Sequence, residues 1–119
     1  MDLRYIQIGV ATLLFILVYV NRFNIRMSYL SLNLKAVRIT FSQTGNLFEK
    51  IQALIDEMKI LSDMNLIAIK MTNVARSQKD IDAISHACEQ RRIRAAECKK
   101  LALELTDKLT PNDLKSATG

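Results

Sequence analysis

The chain has 119 residues, half of them hydrophobic, with a formal net charge of +5 and only three glycines and one proline. The apolar fraction excludes an intrinsically disordered chain, and the scarcity of Gly and Pro favours long helices over sheets. The moderate positive charge would suit anionic lipid or an acidic partner, without requiring either.

The first predicted element is an apolar run near the amino terminus, Tyr5–Val20, which contains no charged residue. As a helix it covers about 24 Å, short of the roughly 30 Å hydrocarbon core of a bilayer. The flanking Arg4 and Arg22 close this gap by extending their charges to the headgroups. We therefore predict a transmembrane anchor over residues 1–23. The anchor side chains are Tyr5, Leu13, Leu14, Phe15, Ile16, Leu17 and Tyr19.

Two other interpretations of this apolar run fit the sequence less well. A cleaved signal peptide would need a basic start and small residues at the cleavage site, whereas Asn21, Arg22 and Phe23 follow the run. A buried core helix would need other segments apolar enough to enclose it. Basic residues are more numerous after the run than before it, which favours a single-pass topology with a cytoplasmic carboxyl-terminal domain.

The next segment, Asn24–Phe41, has an ambiguous pattern. Alternating apolar and polar residues resemble a strand, but the alternation changes phase at Tyr29–Leu30. A 4-3-4-3-4 spacing of apolar residues, which is typical of a helix, continues through Tyr29–Leu30 without interruption. We therefore predict a juxtamembrane helix and bend over residues 24–45. Its apolar positions are Phe23, Met27, Leu30, Leu34, Val37 and Phe41. Asn46, with Glu49 three residues later, is the predicted cap of a new helix.

Residues 46–110 repeat apolar side chains at helical spacing, which predicts helix packing along one stripe. The packing residues are Phe48, Ile51, Leu54, Met58, Leu61, Met64, Ala68, Met71, Ile81, Ile84 and Leu105. Ser77 and Asp80 form a capping-box pattern that would divide the segment into two helices of nearly equal length. An antiparallel helical hairpin and one continuous coiled-coil rod of roughly 100 Å both remain open. Pro111 is expected to end the last helix before a flexible tail, residues 111–119.

The predicted fold class is therefore all-α. A single amino-terminal transmembrane helix continues into a long helical stalk or coiled coil, or into an antiparallel helical hairpin. A narrow apolar stripe with polar flanks implies partners in either arrangement.

Few residues have side chains that could act in catalysis, metal binding or disulfide formation. His86 is the only histidine, and Asp82 lies four residues before it, but no further ligands or acid–base partners accompany the pair. Cys88 and Cys98 would lie about 15 Å apart along one helix, too far for a disulfide within it. We expect two free thiols. No catalytic motif or phosphate-binding loop is present, so we expect neither an enzyme nor a cofactor.

The segment 91–100 concentrates positive charge, with five basic residues and one acidic residue. Its basic residues are Arg91, Arg92, Arg94, Lys99 and Lys100. One interpretation is a solvated helix flank, and the other is a patch for an anionic lipid or an acidic partner. Nucleic acid is a weaker candidate, because no aromatic residue beyond Phe48 is available for base stacking.

These features favour a non-enzymatic, single-pass structural or assembly subunit of a larger membrane-associated complex. The expected partners are membrane lipids and other protein subunits, including copies of the same chain. One alternative is a membrane-tethered adaptor that binds an anionic lipid or acidic partner through residues 91–100. Another is a phage-type envelope-spanning or lysis protein whose helical part lies outside the cytoplasm.

Overall fold

A computed structural model describes residues 3–109, and this part of the chain consists of helices without a strand. The helices are α1, Leu3–Val20; α2, Arg22–Gln43; α3, Leu47–Thr72; and α4, Gln78–Asp107. The all-helical prediction is confirmed, including the helical interpretation of Asn24–Phe41. Pro111 and the predicted tail, residues 111–119, lie outside the described residues.

Helical hydrogen bonding passes from α1 into α2 through Asn21, the one residue between them. The backbone N–H of Asn21 donates to the carbonyl of Leu17 at 3.0 Å, and the N–H of Ile25 donates to the carbonyl of Asn21 at 2.9 Å. No Gly or Pro interrupts this junction, so nothing in the local sequence requires the chain to turn. Helical hydrogen bonds therefore link α1 to α2, and the break between them is confined to Asn21, whose backbone (φ −96°, ψ 11°) departs from helical geometry.

Asn46 starts α3 after a short turn, as the capping pattern predicts. Its backbone is extended, and its Oδ1 accepts hydrogen bonds from the N–H groups of Phe48 and Glu49 at 2.8 and 3.3 Å. These bonds satisfy two amide groups that have no partner within the helix. The hydroxyl of Thr44 donates to Glu49 at 2.5 Å, which ties the turn to the first turn of α3.

A second turn separates α3 from α4, so residues 46–109 form the hairpin and not the continuous rod. Ser77 caps α4 by accepting a hydrogen bond from the N–H of Asp80 at 3.2 Å. Contacts between the two arms run in opposite directions: Asn65 contacts Cys88, whereas Glu57 contacts Cys98. The arms are therefore antiparallel.

α3 is the central helix of a three-helix bundle, because it contacts both α2 and α4. One core cluster joins Leu34 of α2 to Leu61 and Met64 of α3. The other joins Leu54 of α3 to Cys98 and Ala102 of α4. Burial of each large aliphatic side chain contributes about 1.5–3 kcal/mol, so these two clusters hold the helices together. α1 contacts only α2 and extends beyond the bundle.

Ten of the eleven predicted packing residues are buried or partly buried in the structure. Leu54, Leu61, Met64 and Ala68 are buried. Partly buried positions are Ile51, Met58, Met71, Ile81, Ile84 and Leu105. Phe48 differs from the rest, since 39% of its surface is exposed near the start of α3.

Candidate functional site

α1 presents apolar side chains to the outside in every direction. None of its residues is buried, and the exposed fractions of Leu13, Phe15 and Ile16 are 59, 72 and 50%. Among the described residues it is the one helix long and apolar enough to cross a membrane. A helix that is apolar all round is normally covered by protein or by lipid, and no other part of the described chain covers this one.

Arg22 lies where the apolar helix ends. Its guanidinium group is 4.3 Å from the ring centroid of Tyr19 and 4.4 Å from that of Phe23, and it donates to the Tyr19 carbonyl at 2.8 Å. Aromatic rings and basic side chains are enriched at membrane–water interfaces, where each has one apolar and one wet side. Arg22 and its two aromatic neighbours thus form one cluster at the end of α1.

α2 is apolar on two opposite sides. Leu34 is buried in the bundle, and Met27, Leu30 and Phe41 pack against the core clusters. On the other side, four large apolar side chains are 50–65% exposed. They are Ile25, Tyr29, Leu32 and Ile39. The bundle therefore leaves an apolar helix face without a partner.

Glu57 forms a polar cluster inside the bundle, at a level where all three helices meet. Its side chain is only 3% exposed. Its carboxylate accepts hydrogen bonds from Arg94 of α4 at 2.6 and 3.3 Å and from Arg38 of α2 at 3.2 Å. The thiol of Cys98 lies 2.8 Å from Oε2. One carboxylate thus connects α3 to both of its neighbours, and the described buried side chains have no unsatisfied polar atom.

The environment of this cluster shifts two pKa values in opposite directions. Burial alone raises the pKa of Glu57, but hydrogen bonds from Arg94 and Cys98 and the charges of Arg94 and Arg38 outweigh burial and lower it. Burial, with the hydrogen bond to Glu57, raises the pKa of the Cys98 thiol to about 12. Cys98 is therefore a packed, protonated and unreactive thiol at neutral pH.

The structure distributes the basic segment 91–100 between internal and exposed positions. Arg94 pairs with buried Glu57, and Arg91 donates to the side chain of Asn65 at 3.4 Å. Arg92 pairs with Glu89 on the same helix at 2.9 Å.

Lys99 and Lys100 are exposed on α4. The segment begins about 20 Å along α4 from Gln78, at the middle of the bundle. Its arginines are thus engaged mainly with the protein itself.

Sequence reasoning left Arg94 open between a solvated helix flank and an anionic-partner patch, counted Arg38 only among the basic residues after the apolar run, and gave no role to Glu57. A usable signal was present, because Glu57 lies three residues after Leu54 and four before Leu61, inside the predicted apolar stripe. An acidic residue in such a stripe requires a buried partner. The partners are 19 and 37 residues away in sequence, so spacing alone could not identify them.

The remaining candidates show no assembled chemistry. Within residues 3–109, no group of three or more His, Cys, Asp or Glu side chains could hold a metal ion. Both cysteines are free, Cys98 being buried and Cys88 partly exposed. His86 is exposed on α4. No family model, curated protein or solved structure matches this chain, so its function has to be argued from its own surfaces.

Proposed function

We propose that the chain is a non-enzymatic, single-pass membrane protein that acts as a structural or assembly subunit of a larger complex. α1 is the membrane anchor, and α2, α3 and α4 form a bundle on the cytoplasmic side. The observation that carries the proposal is α1 itself, a helix of apolar side chains with none of them buried. Lipid is the environment that covers such a helix at the lowest free energy.

The contacts around α1 support an anchor over a core helix or a cleaved leader. A core helix would bury its side chains against other helices, whereas α1 contacts only α2. A leader would be removed after a small residue, whereas Asn21, Arg22 and Phe23 follow the apolar run. The excess of basic residues after α1 supports the cytoplasmic placement of the bundle.

Exposed apolar side chains on the bundle support a role in assembly. Besides the outer side of α2, Leu66 and Ile69 of α3 are 58 and 57% exposed, and Leu103 of α4 is 58% exposed. Apolar surface that extends over a helix face marks a protein or membrane contact more often than a free surface. The bundle thus has surface available for helix–helix packing with another subunit.

Membrane insertion is tested by placing charge inside α1. Each lysine near the centre of a span raises the free energy of insertion by about 2.5–3.5 kcal/mol. We therefore expect a Leu13→Lys, Leu17→Lys double variant to leave the membrane fraction on alkaline extraction. Leu103→Lys is the matched control, because it adds a charge at a similarly exposed leucine outside α1. Release of the wild-type chain under the same conditions would remove the anchor from the proposal.

Topology is tested with Cys88, because Cys98 is buried and unreactive. An impermeant maleimide added to intact cells should leave Cys88 unlabelled, and permeabilisation should allow labelling. A Cys88→Ser variant gives the background signal. Labelling in intact cells would place the bundle outside the cytoplasm and would favour an envelope-spanning protein.

A further inference from the structure

The outer side of α2 carries a regular stripe, which we call the outer stripe. Its residues follow a 4-3-4-3 spacing and are all exposed: Ile25, Tyr29, Leu32, Ala36 and Ile39. Ile25 and buried Leu34 are nine residues apart, which is half a revolution around the helix at 100° per residue. The stripe therefore points away from the bundle that α2 helps to form.

The same spacing continues into α1 without a slip. Going back from Ile25, the heptad positions are Arg22, Val18, Phe15, Ala11 and Ile8. Two backbone hydrogen bonds of helical spacing link α1 and α2 across Asn21, the one residue at the junction whose backbone is not helical. Together, the outer stripe and its continuation in α1 run from Ile8 to Ile39, which is roughly four heptads. A repeat of 3.5 residues is the period at which one helix supercoils around another.

We propose that the outer stripe pairs with the outer stripe of a second copy of this chain, forming a parallel dimer that begins in the membrane and continues along α2. The proposal rests on the membrane anchor proposed above. Two copies inserted in the same direction have their stripes parallel and at the same depth, so equal heptad positions meet. A different subunit would need a matching repeat at the same height above the membrane.

The flanks of the stripe are compatible with this pairing. In a parallel coiled coil the core positions of each heptad are called a and d. The residue just before an a position, such as Tyr29, faces the partner residue just after the following d position, here Leu32. These flanking pairs are Ser28 with Asn33 and Lys35 with Thr40, so neither flanking pair joins like charges, and Arg22 is the one position of the repeat where equal charges of the two copies meet.

Arg22 is the one charged residue in the repeat. Its guanidinium packs over the rings of Tyr19 and Phe23 at the end of α1, where headgroups rather than the partner helix can take its charge.

The experiment uses disulfide crosslinking of the full chain in lipid nanodiscs, with Cys88 replaced by Ser and unreactive Cys98 retained. We expect oxidation to convert Leu32→Cys and Ile39→Cys variants into covalent dimers. Leu103→Cys is the matched control and should stay monomeric, because this leucine is equally exposed but lies on α4. Equal crosslinking at all three positions would show random collision and overturn the proposal.

Mass measurement gives a second, independent readout. Light scattering of the detergent-solubilised wild-type chain should give twice the chain mass of 13.5 kDa. A Tyr29→Glu, Leu32→Glu double variant should give the monomer mass with unchanged helicity, because both side chains are exposed in the single chain. A monomeric wild type overturns the proposal, as does a crosslink from Leu32→Cys to a different protein in native membranes.

Failure of this inference is distinguishable from failure of the proposed function. Alkaline extraction is measured on the same preparation. A chain that stays in the membrane but is monomeric overturns the dimer and leaves the anchor in place. A chain that is extracted at high pH overturns the anchor itself.

Discussion

α1 and α3 are both rich in apolar residues, yet they lie in opposite environments. α3 is flanked by helices on two sides, and seven of its residues are buried, from Ala53 to Ala68. α1 has no buried residue and touches one helix at its end. In α3, charged residues interrupt the apolar pattern and leave one side in water, whereas Tyr5–Val20 contains no charge.

The difference shows that apolar content alone does not decide what a helix does for the fold. A buried leucine in α3 stabilises the bundle, because unfolding returns its surface to water. A leucine in α1 makes no such contribution, because the other helices do not cover its surface in the folded bundle, and unfolding of the bundle therefore exposes no more of it. Substitutions in the core, in the Glu57 cluster and at a helix cap should therefore change the stability of the bundle, whereas matched substitutions outside the core should not.

Truncation of Leu54 should give the largest effect. This side chain is 1% exposed, so Leu54→Ala should lower the free energy of unfolding of the bundle by about 3 kcal/mol through lost burial and a residual cavity. Leu13→Ala is the matched control in α1 and should change it by less than about 0.5 kcal/mol. Denaturant unfolding followed by circular dichroism measures both, and equal losses would show that α1 is part of the folded core.

Removal of the Glu57 carboxylate should be the next largest effect. Glu57→Ala leaves Arg38 and Arg94 without their buried partner, and we expect a loss of about 2–3 kcal/mol. This value is below that of a fully buried pair, because the arginine side chains are 46 and 38% exposed and can turn towards water. Glu89→Ala is the control, since it removes an exposed pair within one helix. Equal stability of the two variants would contradict a role for Glu57 in joining the helices.

Acidic pH should weaken the same cluster. The pKa of Glu57 is lower in the folded chain than in the unfolded chain, so its contribution is present above the unfolded value of about 4.3. The contribution is lost as the pH falls through the folded pKa, because the unfolded state then binds the proton more readily. In denaturant unfolding, the free energy of unfolding should decline less between pH 7 and pH 3 for Glu57→Gln than for the wild type. Identical pH profiles would exclude Glu57 as the source.

Loss of a helix cap should give the smallest effect. Asn46→Ala removes the acceptor for two amide groups at the start of α3 and should cost about 1 kcal/mol. Asn21 precedes α2 without a side-chain cap bond, and its side chain donates only to the exposed carbonyl of Leu17 at 2.9 Å, so Asn21→Ala is the matched control and should cost less than Asn46→Ala. Thermal melts of the two variants provide the comparison, and a larger loss at Asn21 would mean that the junction of α1 and α2 stabilises the bundle.

Local features of this fold could be predicted from the sequence. The helical nature of Asn24–Phe41 followed from the heptad spacing, and the caps at Asn46 and Ser77 followed from side chains that bond to nearby amides. Such features depend on residues within one or two turns of each other. The choice of hairpin over rod did not follow, since a capping box also occurs within long helices.

The long-range features could not be predicted from spacing. The contact of Glu57 with Arg38 and Arg94 depends on how the three helices are aligned along their axes. Other alignments would pair Glu57 with other basic residues, and sequence spacing does not distinguish between them. The outer stripe was missed for another reason. Its residues alternate along α2 with those that face the bundle, such as Leu30 and Leu34, and the sequence alone does not say which of two apolar faces a bundle will cover.

The most direct test of the account is the environment of α1 in a bilayer. Spin labels at Leu13, Ile16 and Leu17, which lie away from the outer stripe, should be accessible to dissolved oxygen and protected from a water-soluble nickel reagent in nanodiscs. A label at Lys59 on the exposed side of α3 should show the reverse pattern. Nickel accessibility at the three α1 positions would contradict the account, because it would place the helix in water.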